Sequence, residues 1–351
     1  MRIWYTLGWV LLVALFSSCN HDELCYHHPH DARVRLDVDW SKFVEEVPTG
    51  MTVMVYPQGA EPDKAITQHT NTIDYALLTL PAGSYHSIVY NQSPSEYGSV
   101  SFRGMDKYET AEVYANITSS RWYKGRGDDG GRVVTEPEWL GTDREKNMVV
   151  TPEMVEQTGK TNLIQLTSAR SRVENSFLIG DLTPLNIVYT ITVKVHIQGI
   201  YNLRSARASL TGLAEGYWLG KGKPTAGKVI QLLENWKMTV DPIDPTKGTI
   251  DAKITCFGLP YGHQGKAEEN ELMLSLLLVD NKTILDFPFH VGDKFETRIE
   301  EDVQLQLRLA LNVELTIDTP LPDVKPEGGS DGGFRAEVDD WGEEENFDVQ
   351  M

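Results

Sequence analysis

Cys19 is the residue whose neighbours specify a chemistry most clearly. It follows two small residues, Ser17 and Ser18, at the end of an apolar run from Ile3 to Phe16. An apolar run that ends in small residues is typical of a signal peptide. Small side chains before a cysteine also suit a lipoprotein peptidase, and the thiol can accept a diacylglyceryl group. The pattern predicts a signal peptide over residues 1–18 and lipidation of Cys19.

The alternatives for this leader are an ordinary secretory signal, in which the cysteine is incidental, and a short transmembrane helix. The apolar run is about 14 residues long, whereas a helix that crosses a bilayer needs about 20. Acyl chains contribute about 0.8 kcal/mol per buried CH₂ group, and two chains hold a protein stably on a membrane. We therefore expect acyl chains on Cys19 to attach the protein to the outer membrane.

The residues after Cys19 bear on which face of that membrane the protein occupies. They are Asn20, His21, Asp22 and Glu23. Acidic residues this close to a lipidated cysteine resemble the surface-export signal of Bacteroidetes lipoproteins. We expect a surface-exposed lipoprotein of the cell outer membrane rather than one on the periplasmic side.

A histidine and cysteine cluster lies between positions 21 and 30. Imidazole and thiolate side chains at such spacing are ligands that Zn²⁺ and Cu²⁺ accept. Pro29 and the nearness of the lipid anchor instead favour an extended stalk over residues 19–31. We therefore predict no metal site from this cluster, which comprises His21, Cys25, His27, His28 and His30.

Paired carboxylates are the remaining groups that suggest chemistry. Asp128 with Asp129, and Asp339 with Asp340, are adjacent in sequence, but neither pair has the alternate ligand spacing of a calcium loop. They are interpreted as solvated charges. The chain also has no His-Glu-x-x-His motif and no complete Gly-x-x-x-x-Gly-Lys-Ser/Thr loop, which carry zinc-dependent and phosphate-binding chemistry. No enzymatic activity and no cofactor are predicted.

Five aromatic residues lie in segments with the composition of loops. Loop aromatics can form a platform on which a sugar ring stacks, so a surface glycan-binding lipoprotein is the alternative function. Such residues more often close the ends of β-sandwiches. They are Trp122, Tyr123, Trp139, Tyr217 and Trp218.

The charge balance excludes some classes of partner. The 351 residues include 32 lysines and arginines and 51 aspartates and glutamates, a formal net charge of −19. Arg2 is the charged residue of the leader, so without residues 1–18 the formal charge is −20. Such a surface repels nucleic acid and anionic lipid head groups, and neither is expected as a partner.

Two cysteines remain if lipid consumes Cys19. Cys25 lies near the leader and Cys256 in the second half of the chain. They either pair in an oxidising compartment or stay as isolated thiols. Their separation in sequence does not decide between these alternatives.

Apolar and polar residues alternate along much of the chain, which is the period of a half-buried strand. Lys124 to Arg132 is rich in Gly and Asp and predicts a loop, Gly212 predicts a turn, and Val229 to Trp236 fits either a helix or a strand. No helical period extends beyond about ten residues. The predicted strands are Arg33–Trp40, Met51–Pro57, two within Ala76–Tyr90, Glu109–Ala115, Thr161–Leu166, Val188–His196, Ala206–Leu210, Lys237–Val240, Thr249–Phe257, Leu272–Val279, Ile284–Phe289 and Val303–Ile317.

Short strands at regular spacing, separated by Gly and Pro, predict β-sandwiches. The residues after the leader, about 330 of them, exceed what one core usually serves, so two domains are expected. We predict an all-β protein with an N-terminal sandwich over residues 32–175 and a C-terminal sandwich over residues 176–318. The junction is expected near Ser168 to Pro184.

Residues 319–351 form a separate region. Prolines and a Gly-Gly-Ser-Asp-Gly-Gly stretch predict a flexible linker. The linker leads to Phe334, Val338 and Trp341, apolar residues that a merely solvated tail would not need. We predict a final strand or docking segment in which these three side chains contact a partner, with an acidic disordered tail as the alternative.

Four segments of the chain share their order and spacing with a known family. They are Cys25-Tyr26-His27-His28-Pro29-His30, Leu80-Pro81-Ala82-Gly83-Ser84-Tyr85 followed by Val89-Tyr90-Asn91, Ala208-Ser209-Leu210-Thr211-Gly212-Leu213-Ala214, and Gly333-Phe334 to Trp341. Together they resemble the fimbrillin-like lipoproteins of Bacteroidetes, in particular a subgroup similar to fimbrial anchor subunits. The likeness spans nearly the whole chain after Cys19.

The resemblance implies two tandem transthyretin-like, Greek-key β-sandwich domains. It also implies a non-enzymatic fimbrial anchor or accessory subunit in adhesion, with other fimbrial subunits as partners. Such subunits would assemble by strand complementation, in which an extended segment of one subunit completes the sheet of another. The segment after Pro326 suits that use, and it equally suits completion of the chain's own sheet.

Overall fold

The structure is a computed structural model that describes residues 30–59, 64–123, 131–160, 169–263, 265–301 and 307–327. In these ranges strands dominate, and the all-β class predicted from the alternating pattern is confirmed. The first half contains β1 (Asp31–Val38), β2 (Met51–Pro57), β3 (Ile66–Thr70), β4 (Tyr75–Pro81), β5 (Gly83–Asn91), β6 (Val100–Arg103), β7 (Glu112–Ala115), β8 (Gly141–Val150), helices α1 (Pro152–Lys160) and α2 (Ala169–Glu174), β9 (Phe177–Leu182) and β10 (Leu185–Asn186).

The second half continues with strands alone among its described residues. They are β11 (Tyr189–Gln198), β12 (Leu203–Ala214), β13 (Gly216–Trp218), β14 (Lys223–Pro224), β15 (Lys228–Leu233), β16 (Lys237–Val240), β17 (Lys247–Cys256), β18 (Glu271–Leu278), β19 (Ile284–His290), β20 (Glu296–Glu301) and β21 (Leu307–Thr316), apart from short 3₁₀ turns.

Two sheets enclose the core of the N-terminal sandwich. One has the strand order β4, β1, β9, and the other has the order β10, β8, β5, β2, β3. Val34, Leu36 and Val38 of β1 are buried and their neighbours are partly exposed, as the alternation predicts. Burial of such side chains contributes about 25 cal/mol per Å² of apolar surface removed from water, and it fixes which face of β1 turns inward.

Helix α1 packs against β1 and was not predicted from the sequence. Met154 and Val155, which pack on the core, are adjacent in sequence, so they give no helical period. The hydroxyl of Thr158 accepts a hydrogen bond from the backbone N–H of Arg33 at 3.1 Å. Because β9 pairs with β1 from Val34 onward, the helix supplies an acceptor to a part of β1 that β9 does not reach.

The C-terminal sandwich also consists of two sheets. Their strand orders are β16, β17, β11, β21, β20 and β15, β12, β18, β19. β11 lies at the centre of the first sheet, antiparallel to β17 and parallel to β21. The side chains of Ile191, Val193 and Val195 in β11 face the core and are buried. The predicted β-sandwich architecture is therefore confirmed.

Strand β12 extends through Gly212, where the sequence predicted a turn. Gly212 has a φ of 77°, and the register with β15 shifts between Leu210 and Leu213. A Cβ atom at this position would lie 2.1 Å from the carbonyl oxygen of Glu269. The prediction of a turn was wrong, because the glycine supplies the left-handed conformation of a β-bulge inside a continuing strand.

The ambiguous segment from Val229 to Trp236 contains β15. Val229, Ile230, Gln231 and Leu233 are all buried. Both faces of this strand are covered, so its sequence loses the alternation that marks a half-exposed strand.

A further sheet joins the two halves of the chain. Its strand order is β14, β13, β7, β6, and Tyr217 of β13 lies opposite Val113 of β7. A Cβ atom on Gly216 would lie 2.2 Å from the carbonyl oxygen of Val113, so the close approach of the two strands requires glycine. One cluster of buried apolar side chains contains members from both halves. The outer face of the larger N-terminal sheet therefore packs into the core of the C-terminal half, while the interior of the N-terminal sandwich forms a separate cluster.

The strands around the predicted junction pair with the first half of the chain. β9 pairs with β1, and β10 pairs with β8. β11, which begins at Tyr189, is the next strand and lies in the C-terminal sandwich. The division between residues 175 and 176 stays a prediction.

Candidate assembly surface

The C-terminal sandwich has free strand edges in the part of the chain that the structure describes. β16 ends one of its sheets and β19 ends the other. An edge strand presents backbone donors and acceptors with which another segment can pair. These edges are therefore the candidate places for an added strand.

β19 has seven residues and β16 has four, and β20 ends the same sheet as β16 on its other side. The Phe287 and Phe289 side chains of β19 pack partly buried against the core, whereas Asp286 and Pro288 are exposed. Asp286 accepts a hydrogen bond from the Ser275 hydroxyl at 2.6 Å. Proline has no N–H to donate, and a proline or charge on an edge restricts pairing with arbitrary strands. This edge suits a selective partner.

β16 presents apolar side chains at the end of its hairpin with β17. Met238 and Val240 are exposed, and Ile243 in the turn that follows is 92% exposed. The Asp241 carboxylate accepts hydrogen bonds from the backbone N–H groups of Ile243 at 2.8 Å and Asp244 at 3.1 Å. These bonds lower the pKa of Asp241. The turn therefore holds an apolar tip in solvent beside a cleft of about 490 Å³.

The chain after β21 binds along the same end of the C-terminal sandwich. Leu321 is buried, and its N–H donates to the carbonyl oxygen of Gln198 at 2.9 Å. The Asp323 carboxylate accepts hydrogen bonds from the Asn202 amide at 2.9 Å and the Tyr201 hydroxyl at 2.7 Å. These two bonds lower the pKa of Asp323. The start of the predicted linker is thus fixed by specific contacts.

The last described residue, Glu327, lies beside the end of β18. Its N–H donates to the carbonyl oxygen of Val279 at 3.2 Å. Val279 directly follows β18 and precedes the turn into β19. The described chain therefore ends beside the turn that connects β18 and β19.

The described chain begins and ends away from the junction between its two halves. β1 runs from Asp31 towards the junction, where the N–H of Asp39 donates to the carbonyl oxygen of Leu182 at 2.8 Å. β11 runs from the junction towards the end at which Leu321 binds. A tether before residue 30 and a partner after residue 327 would therefore both attach away from the junction.

A buried ion cluster connects the two halves. Glu112 and Glu215 are 7% and 6% exposed. Arg103 lies 2.6 Å from Glu112 and 3.5 Å from Glu215, and Arg132 lies 2.8 Å from Glu215. The Arg103 guanidinium also lies 4.5 Å from the centroid of the Tyr114 ring. Buried carboxylates need such partners, so the cluster holds β6 and β7 against the turn between β12 and β13.

The five aromatic residues singled out in the sequence do not form one platform. Trp122 and Tyr123 make an edge-to-face pair with ring centroids 5.7 Å apart. Trp139 packs partly buried against both cores. Tyr217 packs against the shared core, and burial raises its pKa to about 12. Trp218 follows it in β13. Trp122 lines an open cleft.

Cys256 is a buried thiol. It is 1% exposed and accepts a hydrogen bond from the backbone N–H of Gly258 at 3.2 Å. Burial raises the pKa of the thiol to about 12, so the reactive thiolate is scarce. Cys25 lies outside the described residues, and its pairing with Cys256 stays an open alternative.

Several residues predicted to be functional lie outside the described residues. Among those that are described, no group of three His, Cys, Asp or Glu side chains is arranged to hold a metal ion. In the same ranges, no helix is long and apolar enough to cross a bilayer. The predictions that fall outside comprise Cys19 and the leader, His21, Cys25, His27, His28, Asp128, Asp129, the strand Thr161–Leu166, Phe334, Val338, Asp339, Asp340 and Trp341.

Comparison with known proteins gives a family and a full-length relative. A family model described as a domain of unknown function, DUF5119, matches residues 18–234. A Bacteroides ovatus protein designated fimbrium anchoring subunit Fim4B is 22% identical over 374 residues, which cover 98% of this chain and 98% of that protein. This relative confirms the resemblance to fimbrial anchor subunits.

Comparison with solved structures bears on the fold. A crystal structure of an adhesin from Bacteroides ovatus matches with a TM-score of 0.51 at 16% identity, covering 87% of this chain and 99% of that one. The fimbrial anchor protein Mfa2 from Porphyromonas gingivalis matches with a TM-score of 0.43 at 11% identity, covering 82% and 90%. The adhesin match supports the fold over 87% of the chain.

Proposed function

The chain belongs to the DUF5119 family, and we propose that it is a non-enzymatic subunit that anchors a fimbria at the cell surface or accompanies it there. The observation that carries this proposal is the end-to-end likeness to Fim4B, which covers 98% of both chains. The likeness therefore includes both sandwiches and the flanking regions. A relative that matched only one of the two sandwiches would support the fold of that sandwich but not the anchoring role.

In this proposal Cys19 is the point of attachment. Acyl chains on its thiol would hold the protein on the outer face of the outer membrane, since two chains give stable binding. The described chain begins at residue 30 and ends at residue 327, and both positions lie away from the junction. This arrangement supports an anchor, because the membrane and the fimbria would each attach away from the junction.

The connection between the sandwiches also supports an anchoring role. An anchor transmits force between its attachment points, and a flexible joint would unfold or extend under that force. Here β13 pairs with β7, apolar side chains of both halves share a core, and Glu215 binds Arg103 and Arg132. The body resists separation of its halves through all three kinds of contact.

The partner in this proposal is another fimbrial subunit, bound by strand complementation. Phe334, Val338 and Trp341 would place apolar side chains into a groove, and the backbone between them would pair with an edge strand. The described chain ends at Glu327, beside the turn between β18 and β19. The same segment completing its own sheet is the competing arrangement.

Purification of the tagged full chain from outer membranes tests the proposal. Fimbrial subunits identified by mass spectrometry in the purified material are the expected result. A chain with Phe334, Val338 and Trp341 replaced by alanine should lose those subunits, and the matched control with Asp339 and Asp340 replaced should keep them. Purification of carbohydrate ligands with no fimbrial subunit would contradict the anchoring role.

A further inference from the structure

An open cleft lies where the first half of the chain meets the end of β15. Its volume is about 630 Å³, and small-ligand sites usually measure about 300–1,000 Å³. Residues 118–122 and 134–136 form one wall, and Arg207, Leu232 and Glu234 form the other. Both halves of the protein therefore contribute to this cleft.

The cleft lies where the segment around Val133 and strand β15, which are paired at one point, diverge from each other. Val133 bridges Ile230 of β15 in parallel, and the N–H of Val134 donates to the carbonyl oxygen of Ile230 at 3.0 Å. Beyond this bridge the first segment turns away, since the Glu136 carboxylate accepts a hydrogen bond from the N–H of Thr255 at 3.1 Å. β15 continues in its own direction. The gap between the diverging segments is thus held by backbone pairing.

Trp122 lies in this gap with a fixed orientation. Its indole N–H donates to the Glu234 carboxylate, and its backbone N–H donates to the Ser120 hydroxyl at 3.3 Å. The Arg207 guanidinium lies 5.9 Å from the ring centroid. The half-buried ring lines the cleft. The indole therefore gives the cleft an apolar surface that is surrounded by polar side chains.

The cleft contains equal numbers of positively and negatively charged side chains. Arg121 and Arg207 supply two guanidinium groups, which have no ion-pair partner among the described residues. Glu136 and Glu234 supply two carboxylates. One oxygen of each carboxylate accepts a hydrogen bond, from Thr255 and Trp122 respectively. The cleft therefore offers strong donors and strong acceptors with no net charge.

We propose that this cleft binds a neutral oligosaccharide. A sugar ring has an apolar C–H face, which stacks on an indole, and hydroxyl groups that both donate and accept hydrogen bonds. Guanidinium groups can donate to those hydroxyls, and carboxylates can accept from them. Anionic ligands would meet Glu136 and Glu234, and cationic ligands would meet Arg121 and Arg207. The site goes beyond the anchoring function, because it would let the surface protein bind a glycan itself.

Binding of neutral and charged glycans to the full chain in detergent tests this proposal. A glycan array is followed by calorimetry with neutral trisaccharides such as maltotriose and mannotriose. We expect binding that Trp122→Ala weakens by about tenfold or more, as truncation of a central aromatic contact does, and that Arg121→Ala also weakens. Trp218→Ala, a half-buried tryptophan outside the cleft, should bind like the unchanged chain.

Three results would overturn the proposal. They are no binding of any neutral glycan, unchanged affinity in both Trp122→Ala and Arg121→Ala, and a preference for sulfated or uronic-acid glycans. Circular dichroism of each variant separates loss of binding from loss of fold. Arg121 is exposed, so its variant keeps the test decisive if Trp122→Ala fails to fold.

Discussion

Arg132 and Glu215 form an ion pair of 2.8 Å between the two halves of the chain. Glu215 also contacts Arg103 at 3.5 Å and is 6% exposed. The carboxylate is thus removed from water and depends on two guanidinium groups. The pairing of β7 with β13 brings these residues together, and the proposed anchoring function relies on the rigidity of this junction.

Loss of the Glu215 carboxylate should destabilise the protein. Glu215→Ala removes a charged acceptor of Arg103 and Arg132, and we expect the free energy of unfolding in urea to fall by about 2 kcal/mol. The arginines are about half exposed and can turn to water, so the loss is smaller than for a fully buried pair. Glu314→Ala, which removes an exposed partner of His196, is the control and should leave stability unchanged. Equal stability of the two variants would contradict the account of the cluster.

The junction should also tolerate no side chain at Gly216. In Gly216→Ala the new Cβ would lie 2.2 Å from the carbonyl oxygen of Val113, so β13 must move away from β7. Overpacking of this kind costs about 1–3 kcal/mol, and we expect a lower midpoint of thermal unfolding. At Gly98 a Cβ would lie 3.7 Å from its nearest neighbour, an oxygen of Glu138. Gly98→Ala should therefore unfold at the original midpoint, and a similar midpoint for Gly216→Ala would refute the close approach.

Docking of the segment around Leu321 should weaken at acid pH. Hydrogen bonds from Asn202 and Tyr201 lower the pKa of Asp323 below its ordinary value of 3.8. Because the pKa of Asp323 is lower in the folded state, its ionised carboxylate stabilises the contact fully at pH values above 3.8. This contribution is lost as the pH falls through the folded-state pKa. Hydrogen-exchange protection of the Leu321 amide, corrected for the intrinsic rate, should therefore decrease in that window. Asp323→Asn should lack this dependence, and a pH-independent amide in the unchanged chain would contradict the prediction.

The tail deletion separates two arrangements of the C-terminal segment. If Phe334 to Met351 binds a partner, its removal should abolish assembly while thermal unfolding of the chain stays unchanged. If the segment completes the chain's own sheet, the midpoint should fall as well. Unchanged assembly together with unchanged stability would exclude both arrangements.

The sequence predicts those strands that have one face in a core and one in solvent. β1 and β21 were predicted from alternation, which reports burial directly, whereas β11 was predicted from its β-branched residues and β18 from a continuous apolar run. β8 carries the polar run from Thr142 to Asn147 in its interior, and β13 has three residues. Neither has a periodic signal of its own. Their positions depend on neighbours that are distant in sequence.

The candidate sites also divide into those that local sequence predicts and those that depend on residues distant in sequence. Cys19 and the tail residues were predicted from local motifs, and those predictions remain untested by the described residues. The ion cluster of Glu112 and Glu215 was missed, since nothing in the sequence near either carboxylate indicates the other. Trp122 was singled out as a loop aromatic, but the groups around it, Arg207 and Glu234, depend on the pairing at Ile230.

The attachment of fimbriae in cells that carry Cys19→Ala tests the central claim most directly. Fimbriae on washed cells and in the culture medium would be quantified by immunoblotting and electron microscopy, with Cys25→Ser as the matched cysteine control. If the chain is a lipid-held anchor, Cys19→Ala should release fimbriae into the medium, and Cys25→Ser should retain them on the cells. Fimbriae that stay attached to Cys19→Ala cells in normal number would contradict the anchoring role.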